Sequence, residues 1–389
     1  MLTVYILAKN EEDTILECLN SVKSVANEII VVNNGSVDKT KEICLAFGCI
    51  VFDSPTAQID ESRNLFLHKA KNPWILSIDA DERLDARSCG LLFDEIRKAD
   101  ECVYAFTLNS YQYVGRGNWA TVRMIRVFRN HSGIKYNDSK IHSSIMDSVV
   151  ALNGKVAHTA VFYHHLDILY KNRAKNKRAR YRNELINTLE NKNLSSPLLR
   201  GFLMSFLGLE YAAIQEYDLA ESLYNDLLQH YPETEDFANL FLAQNYLLQN
   251  KFDKSIEVSN RLLDTELRPQ SLLILAEVNN RSHVMEDALY YVQLSLKENP
   301  DYAHNYLNLA ILSFEKTPAI SIEAILKATE INPYVANPVI YGEGELPNIF
   351  FQQASLLSCN KTIYEIMNEC CSIMGTPYVF DKWINSCRL

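Results

Sequence analysis

Hydrophobic and polar positions follow two regimes along the chain. In the first, short apolar runs alternate with segments of helical spacing. Residues 2–7 form an apolar run, after which Ile15, Leu16, Leu19 and Val22 recur at helical intervals behind the acidic Glu11, Glu12 and Asp13. Residues 28–33 form a second run and close in Asn33-Asn34-Gly35-Ser36, a turn signal. Residues 38–47 read as a helix, 49–52 as a third strand, 60–70 as a helix and 74–78 as a fourth strand. Strands alternating with helices predict right-handed crossovers and a parallel sheet. Further on, residues 102–109, 111–114 and 121–129 read as strands, with period-2 alternation at Val122, Met124, Arg126 and Phe128.

From about residue 200 only helical periodicity remains, and it repeats. Leu207, Gly208, Tyr211, Ala220, Tyr224 and Pro232 fit the 34-residue tetratricopeptide template. Ala243, Tyr246 and Ser255 mark a second unit, Ala276, Ala288 and Pro300 a third, and Ala310 and Pro333 a fourth. Small residues at these positions let helices pack closely, and a stacked array leaves a concave surface that suits a peptide or a partner protein. Residues 349–357 and 362–374 are expected as terminal helices, with Trp383 and Leu389 packing back on the array. The expected organisation is therefore a domain over 1–165, a basic helical connector over 166–198, repeats over 199–338 and a cap over 339–389. Within the connector Lys171, Lys175, Arg178 and Arg182 share one helical face. Such a stripe suits a solvated connecting helix, or steers a diphosphate or anionic acceptor, or touches a membrane surface peripherally.

Composition narrows the class. A net charge of −10 argues against general nucleic-acid binding. Nine cysteines without a C-x-x-C pair read as reduced thiols of a cytoplasmic protein. The start carries no positive n-region or cleavage site, and no stretch approaches 18 uncharged apolar residues.

The candidate chemistry sits at the strand ends. In a parallel sheet the ends of successive strands share one edge, which brings Lys9-Asn10-Glu11, Asn33-Asn34 and Asp79-Ala80-Asp81 together. Two aspartates one residue apart suit a hard divalent cation whose shell is completed by water and phosphate. Taken alone, the same residues also describe a strand running into an acidic surface turn.

Four ordered elements resemble the nucleotide-sugar domain of family 2 glycosyltransferases, which have the GT-A fold: Asn10-Glu11-Glu12, Asn33-Asn34-Gly35-Ser36-Val37-Asp38-Lys39-Thr40, Ser62-Arg63-Asn64, and Asp79 with Asp81. The fold implied is an α/β GT-A domain, Rossmann-like with a mostly parallel sheet, followed by an all-α tetratricopeptide solenoid. The resemblance implies donor contacts at Ala8, Asn10, Glu11, Asn33, Asn34, Arg63, Asp79 and Ala80. It implies Mn²⁺ or Mg²⁺ at Asp79 and Asp81. Asn33 departs from the acidic residue usual at the base contact, although an amide offers both donor and acceptor. The stretch from Arg126 to His142 resembles a branch that includes lipopolysaccharide-core transferases and bacteriocin peptide S-glycosyltransferases. There His142 is a candidate metal ligand or base. Ser143 replaces the glutamate usual after it, which leaves Asp138 and Glu82 as further candidates for the base. Trp119, Tyr111 and Tyr113 read either as a platform for the acceptor or as core. His164-His165 reads as a metal pair or as structural.

The activity implied is inverting, metal-dependent transfer of a hexose from a nucleotide-sugar, a UDP-sugar first, to a peptide or protein side chain. A saccharide or lipid-linked acceptor is the alternative. A degenerate scaffold working through its repeats is the non-enzymatic one, and the repeats could also join two copies as a homodimer.

Overall fold

The computed structural model describes residues 1–56, 59–137, 144–166, 173–190, 197–342 and 356–386. The chain divides into two compact units, Met1–Tyr113 with Ala120–Asp167, and Val114–Trp119 with Ile168–Arg388.

The first unit is built on a sheet whose described strands are β1 (Leu2–Ala8), β2 (Glu28–Asn33), β3 (Ile50–Asp53), β4 (Trp74–Ser77), β5 (Glu82–Leu84), β6 (Val103–Gly115), β7 (Asn118–Arg129) and β8 (Lys155–His165). Their order is β3-β2-β1-β4-β7-β6-β8-β5. The first four run parallel, as the alternation of runs and helices requires. β7 then joins β4 antiparallel, and β5 joins β8 antiparallel, so the sheet is mixed beyond β4. Registers align the strand ends: Ala8 lies opposite Asn33, and Asn33 opposite Asp53.

Alternation along β1 divides the core between two faces. Leu2, Val4 and Ile6 pack with Ile15, Leu19 and Val22 of helix α1 (Ile15–Val22). The further described helices of this unit are α2 (Thr40–Phe47), α3 (Ile59–Leu65), α4 (Ser88–Lys98) and α5 (Met146–Ala151). Tyr5 points the other way, with Ile30, Ile75, Phe128 and Tyr136. Both faces are covered, which is why the parallel strands read as unbroken apolar runs.

In the second unit, α6 (Arg173–Glu190) is followed by antiparallel helix pairs: α7 (Pro197–Ala213) with α8 (Tyr217–His230), α9 (Glu235–Leu248) with α10 (Phe252–Asn260), α11 (Arg268–Arg281) with α12 (Met285–Glu298), and α13 (Ala303–Ser313) with α14 (Pro318–Ile331). The alanines that marked the repeat, Ala220, Ala243, Ala276, Ala288 and Ala310, are all completely buried. A Cβ on Gly208 would stand 2.5 Å from the Tyr224 ring, so glycine sets the closeness of the first pair. Serine hydroxyls cross-link helices: Ser255 Oγ donates to the Ala243 carbonyl at 2.9 Å, and Ser321 Oγ to that of Ala310 at 3.1 Å.

A terminal helix α15 (Ile363–Ile373) starts at a capping box formed by Thr362 and Glu365. Trp383 is buried and donates from Nε1 to Thr329 Oγ1 at 2.8 Å; Leu389 lies outside the described residues. The helix expected over 349–357 needs correction at its described end. Leu356 and Leu357 are not helical, because their N–H groups go to side chains instead of carbonyls one turn back.

Candidate active site

The described part of the site lies at the carboxyl ends of β1, β2 and β4, where a ligand of such a sheet is expected. A polar loop secures the first two ends. Asn10 takes a positive φ of 57° and accepts from the Val37 N–H at 2.8 Å. The Glu11 N–H donates to Thr40 Oγ1 at 2.7 Å, and Glu12 Oε2 accepts from the Lys39 N–H at 3.0 Å. The Asn34 N–H donates to the Ala8 carbonyl at 2.8 Å, and Ser62 Oγ donates to Asn34 Oδ1 at 3.3 Å. Thus Ala8, Asn10, Glu11, Asn33 and Asn34 form one connected rim.

Asn33, expected to meet a base, spends its amide locally. Its Oδ1 accepts from the Ser36 N–H at 3.1 Å, and its Nδ2 donates to Asp53 Oδ1 at 2.8 Å. The bond from Asn33, with help from Lys41, holds the Asp53 carboxyl below the usual carboxylate range. An exposed carboxylate therefore stands at this corner after all, on the neighbouring strand. Sequence reading passed over Asp53 because it closes β3 outside any motif.

Asp79 is held by two arginines. Arg63 Nη2 donates to its Oδ1 at 2.8 Å, while both terminal nitrogens of Arg126 reach Oδ2 at 3.2 Å. Desolvation alone would raise the Asp79 carboxyl, but Arg63 and Arg126 outweigh it and hold it far below the usual range. Arg63 lies over the Tyr136 ring at 5.4 Å, and Arg126 over Tyr163 at 5.3 Å. The period-2 pattern had marked Arg126 only as a strand residue; a buried arginine in such a strand was the available signal.

Glu82 follows the same turn but faces inward. It is 1% exposed; its Oε2 accepts from the Asp79 N–H at 2.9 Å and its Oε1 pairs with Arg126. Burial raises its carboxyl to about 7, against the pull of Arg126. This geometry suits bracing the Asp79–Asp81 turn, and both oxygens that a base would need are engaged.

Asp81 meets a histidine from β8. Its Oδ2 lies 3.6 Å from His165 Nε2, and the His165 side chain is 22% exposed. Alternation along the strand sends His164 to the other face, where Asp85 lies 3.2 Å from its Nε2 and the Tyr113 hydroxyl 2.7 Å from its Nδ1. Burial lowers the affinity of His164 for a proton. The pair read as one unit in the sequence thus divides into a structural histidine and one beside the Asp-x-Asp.

The acceptor platform imagined for Tyr111, Tyr113 and Trp119 is corrected, because all three are buried, at 5%, 3% and 4% exposure. Tyr111 stacks on Phe162, and the Trp119 ring centroid lies 3.8 Å from that of His304. Asp138 and His142 lie outside the described residues, as do the side chains of Lys171, Lys175 and Arg178 of the basic stripe. No group of three metal-ligating side chains occurs among the described residues, and none of their helices is long and apolar enough to cross a membrane.

The chain is similar to several known proteins. An uncharacterized glycosyltransferase of Rickettsia typhi is 37% identical over 83 residues, 21% of this chain and 28% of that protein. The match thus spans less than a third of that relative's length. A TPR repeat-containing protein of Synechococcus elongatus is 28% identical over 147 residues, 38% of this chain and 36% of its own. The SPbeta prophage-derived glycosyltransferase SunS of Bacillus subtilis is 25% identical over 375 residues, covering 86% of this chain and 84% of SunS. Among solved structures, glucosyl-3-phosphoglycerate synthase from Mycobacterium tuberculosis, in complex with Mn²⁺, UDP and phosphoglyceric acid, overlaps 46% of this chain and 73% of its own at 16% identity, with a TM-score of 0.36. Residues 3–153 match the model for glycosyl transferase family 2. The similarity to glycosyl transferase family 2 thus lies in the N-terminal part of this chain.

Proposed function

We propose that the chain is a metal-dependent glycosyltransferase that moves a hexose from a nucleotide-sugar, a UDP-sugar first, to a peptide or protein side chain. The observation that carries this reading is the grouping of Asp79, Asp81, Arg63, Arg126 and His165 at the open end of the parallel strands.

The donor set fits a divalent cation. Asp81 and His165 offer oxygen and nitrogen at 3.6 Å, close to the roughly 3 Å between neighbouring ligands of an octahedral ion with bonds of about 2.1 Å. Asp81 and His165 would hold the ion, and diphosphate and water would complete its shell. Bound there, the ion would neutralise charge developing on the leaving diphosphate.

The chain's own residues supply the rest. Arg63 and Arg126 concentrate positive charge beside the donor's diphosphate, with geometry fixed by Asp79, Tyr136 and Tyr163. Glu82 holds Arg126 in place from beneath. The rim from Ala8 to Asn34 would take the nucleoside, with the Asn33–Asp53 pair at the base. Removal of the acceptor's proton in a single displacement falls to Asp138 or His142. A peptide acceptor is favoured because a stacked array of helix pairs leaves a concave surface suited to a peptide.

The test is incorporation. Protein, UDP-hexose and Mn²⁺ are incubated with peptides carrying Ser, Thr or Cys, and products are read by mass spectrometry. Addition of one hexose, lost with Asp81→Ala, is expected. Transfer at an unchanged rate by the Asp81→Ala protein would reject the assignment.

A further inference from the structure

A stretch of the chain's own C-terminal region lies along the helical array, held in a way that describes a binding site. Leu357 donates its N–H to Asn308 Oδ1 of α13 at 2.9 Å, and its side chain is 3% exposed. The next N–H, of Ser358, donates to Glu277 Oε2 of α11 at 2.9 Å. The Ser358 hydroxyl pairs with the other Glu277 oxygen, and the Ser358 carbonyl accepts from Asn280 Nδ2 at 2.9 Å. Leu356 gives its N–H to Asn118 of the hairpin tip in the same unit, at 2.6 Å. Three consecutive N–H groups are thus satisfied by side-chain acceptors.

The gripping residues are themselves fixed. Arg281 Nε donates to Glu277 Oε1 at 2.6 Å, and Glu277 is 8% exposed. Asn308 is completely buried. The occupant is anchored lightly by comparison: only Leu357 is buried, while Ser358, Cys359 and Asn360 are exposed. Main-chain bonds confer affinity whatever the sequence, whereas the Leu357 pocket and the hydroxyl bond to Glu277 select residue types.

We propose that Glu277, Asn280 and Asn308 form a reader of extended peptide backbone, and that residues 356–358 occupy it as a tethered stand-in which an incoming peptide displaces. The partner is an extended segment with a bulky aliphatic residue followed by a small hydroxyl- or thiol-bearing one. Its use as the route for the acceptor rests on the peptide-acceptor reading above; its use as a binding site does not.

The test uses the full chain and a fluorescent peptide copying residues 355–361, with affinity read by anisotropy. Leu357→Asp, which ejects the tethered segment, is expected to bind the peptide at least tenfold more tightly than the unaltered protein, because an occupied site taxes a competitor. Adding Glu277→Gln to that variant is expected to weaken binding at least tenfold. If Leu357→Asp does not fold, judged by circular dichroism, Ser358→Pro takes its place, since it removes the N–H given to Glu277 and keeps Leu357. A folded variant that binds no better than the unaltered protein, or binding indifferent to Glu277→Gln, would overturn the proposal and leave residues 356–358 as a structural strap. Peptide capture without sugar transfer would sustain the reader and reject the acceptor assignment. Transfer unaffected by Glu277→Gln would sustain the peptide acceptor and reject the reader as its route.

Discussion

The guanidinium of Arg126 reaches Asp79 Oδ2 through both terminal nitrogens at 3.2 Å while pairing with buried Glu82 on its other side. One cation therefore fixes two acidic residues of the same turn, and the turn presents Asp81. Arg126→Met would leave the Glu82 carboxylate buried without that partner, which typically costs about 3–5 kcal/mol. Combining Arg126→Met with Glu82→Gln is expected to recover most of the loss, because the uncompensated charge is gone. Urea denaturation of the singles and the double measures both. A double variant as unstable as the sum of its parts would contradict the pairing.

His165→Ala is expected to weaken Mn²⁺ binding about tenfold or more, since it removes the imidazole 3.6 Å from Asp81. His164→Ala should instead lower stability, because that ring joins Asp85 to Tyr113 within the core. Titration calorimetry with Mn²⁺ and thermal melts separate the two. Equal effects of both variants on metal affinity would reject the division between the two strand faces.

His304 gives a pH signature in the helical unit. It is completely buried beside Trp119 with neither ring nitrogen partnered among the described residues, and burial lowers its pKa to about 3. Between about pH 6.5 and 3 the unfolded chain binds the proton and the folded chain does not, so stability falls as pH drops through this window. The slope from one such group approaches about 1.4 kcal/mol per pH unit. His164 contributes with the same sign. The discriminating measurement is therefore denaturant stability at pH 7, 6 and 5 for the unaltered protein and for His304→Phe. The variant is expected to show the shallower decline; parallel declines would contradict it.

Gly208→Ala is expected to destabilise by about 1–3 kcal/mol, the usual range for overpacking. The new methyl would meet the completely buried Tyr224 ring at 2.5 Å. Adding Tyr224→Phe should recover part of the loss, because the hydroxyl oxygen stands 2.9 Å from that Cβ position and has no partner among the described residues. Thermal melts of the single and double variants decide.

Legibility in the sequence followed local chemistry. The runs that became β1, β2 and β4 could be read because both of their faces are buried, and the repeat alanines because close helix packing demands them. Asp79 and Asp81 were legible as strand-end carboxylates. What escaped notice depended on partners distant in sequence. β5 is three residues long and exists as a strand through its pairing with β8. That pairing sets Glu82 opposite His165, which no local pattern announces. Arg126 is buried only because Asp79, Glu82 and Tyr163 receive it. Leu356 and Leu357 have helical composition, yet Asn118 and Asn308 take their N–H groups away from a helical ladder. The separation of His164 from His165 follows from strand alternation, and was within reach once the run was recognised as a strand.

The measurement closest to the central claim is a thermal-shift panel of UDP-, GDP- and dTDP-sugars, each with and without Mn²⁺, on the unaltered protein and on Asp81→Ala. A donor at 100 times its dissociation constant adds ~2.7 kcal/mol of stability, enough to raise Tm visibly. The expected result is a Mn²⁺-dependent rise with a UDP-sugar that is absent in the Asp81→Ala protein. Shifts indifferent to Mn²⁺ and to Asp81, or no shift with any donor, would contradict a metal-assisted nucleotide-sugar site at this edge of the sheet.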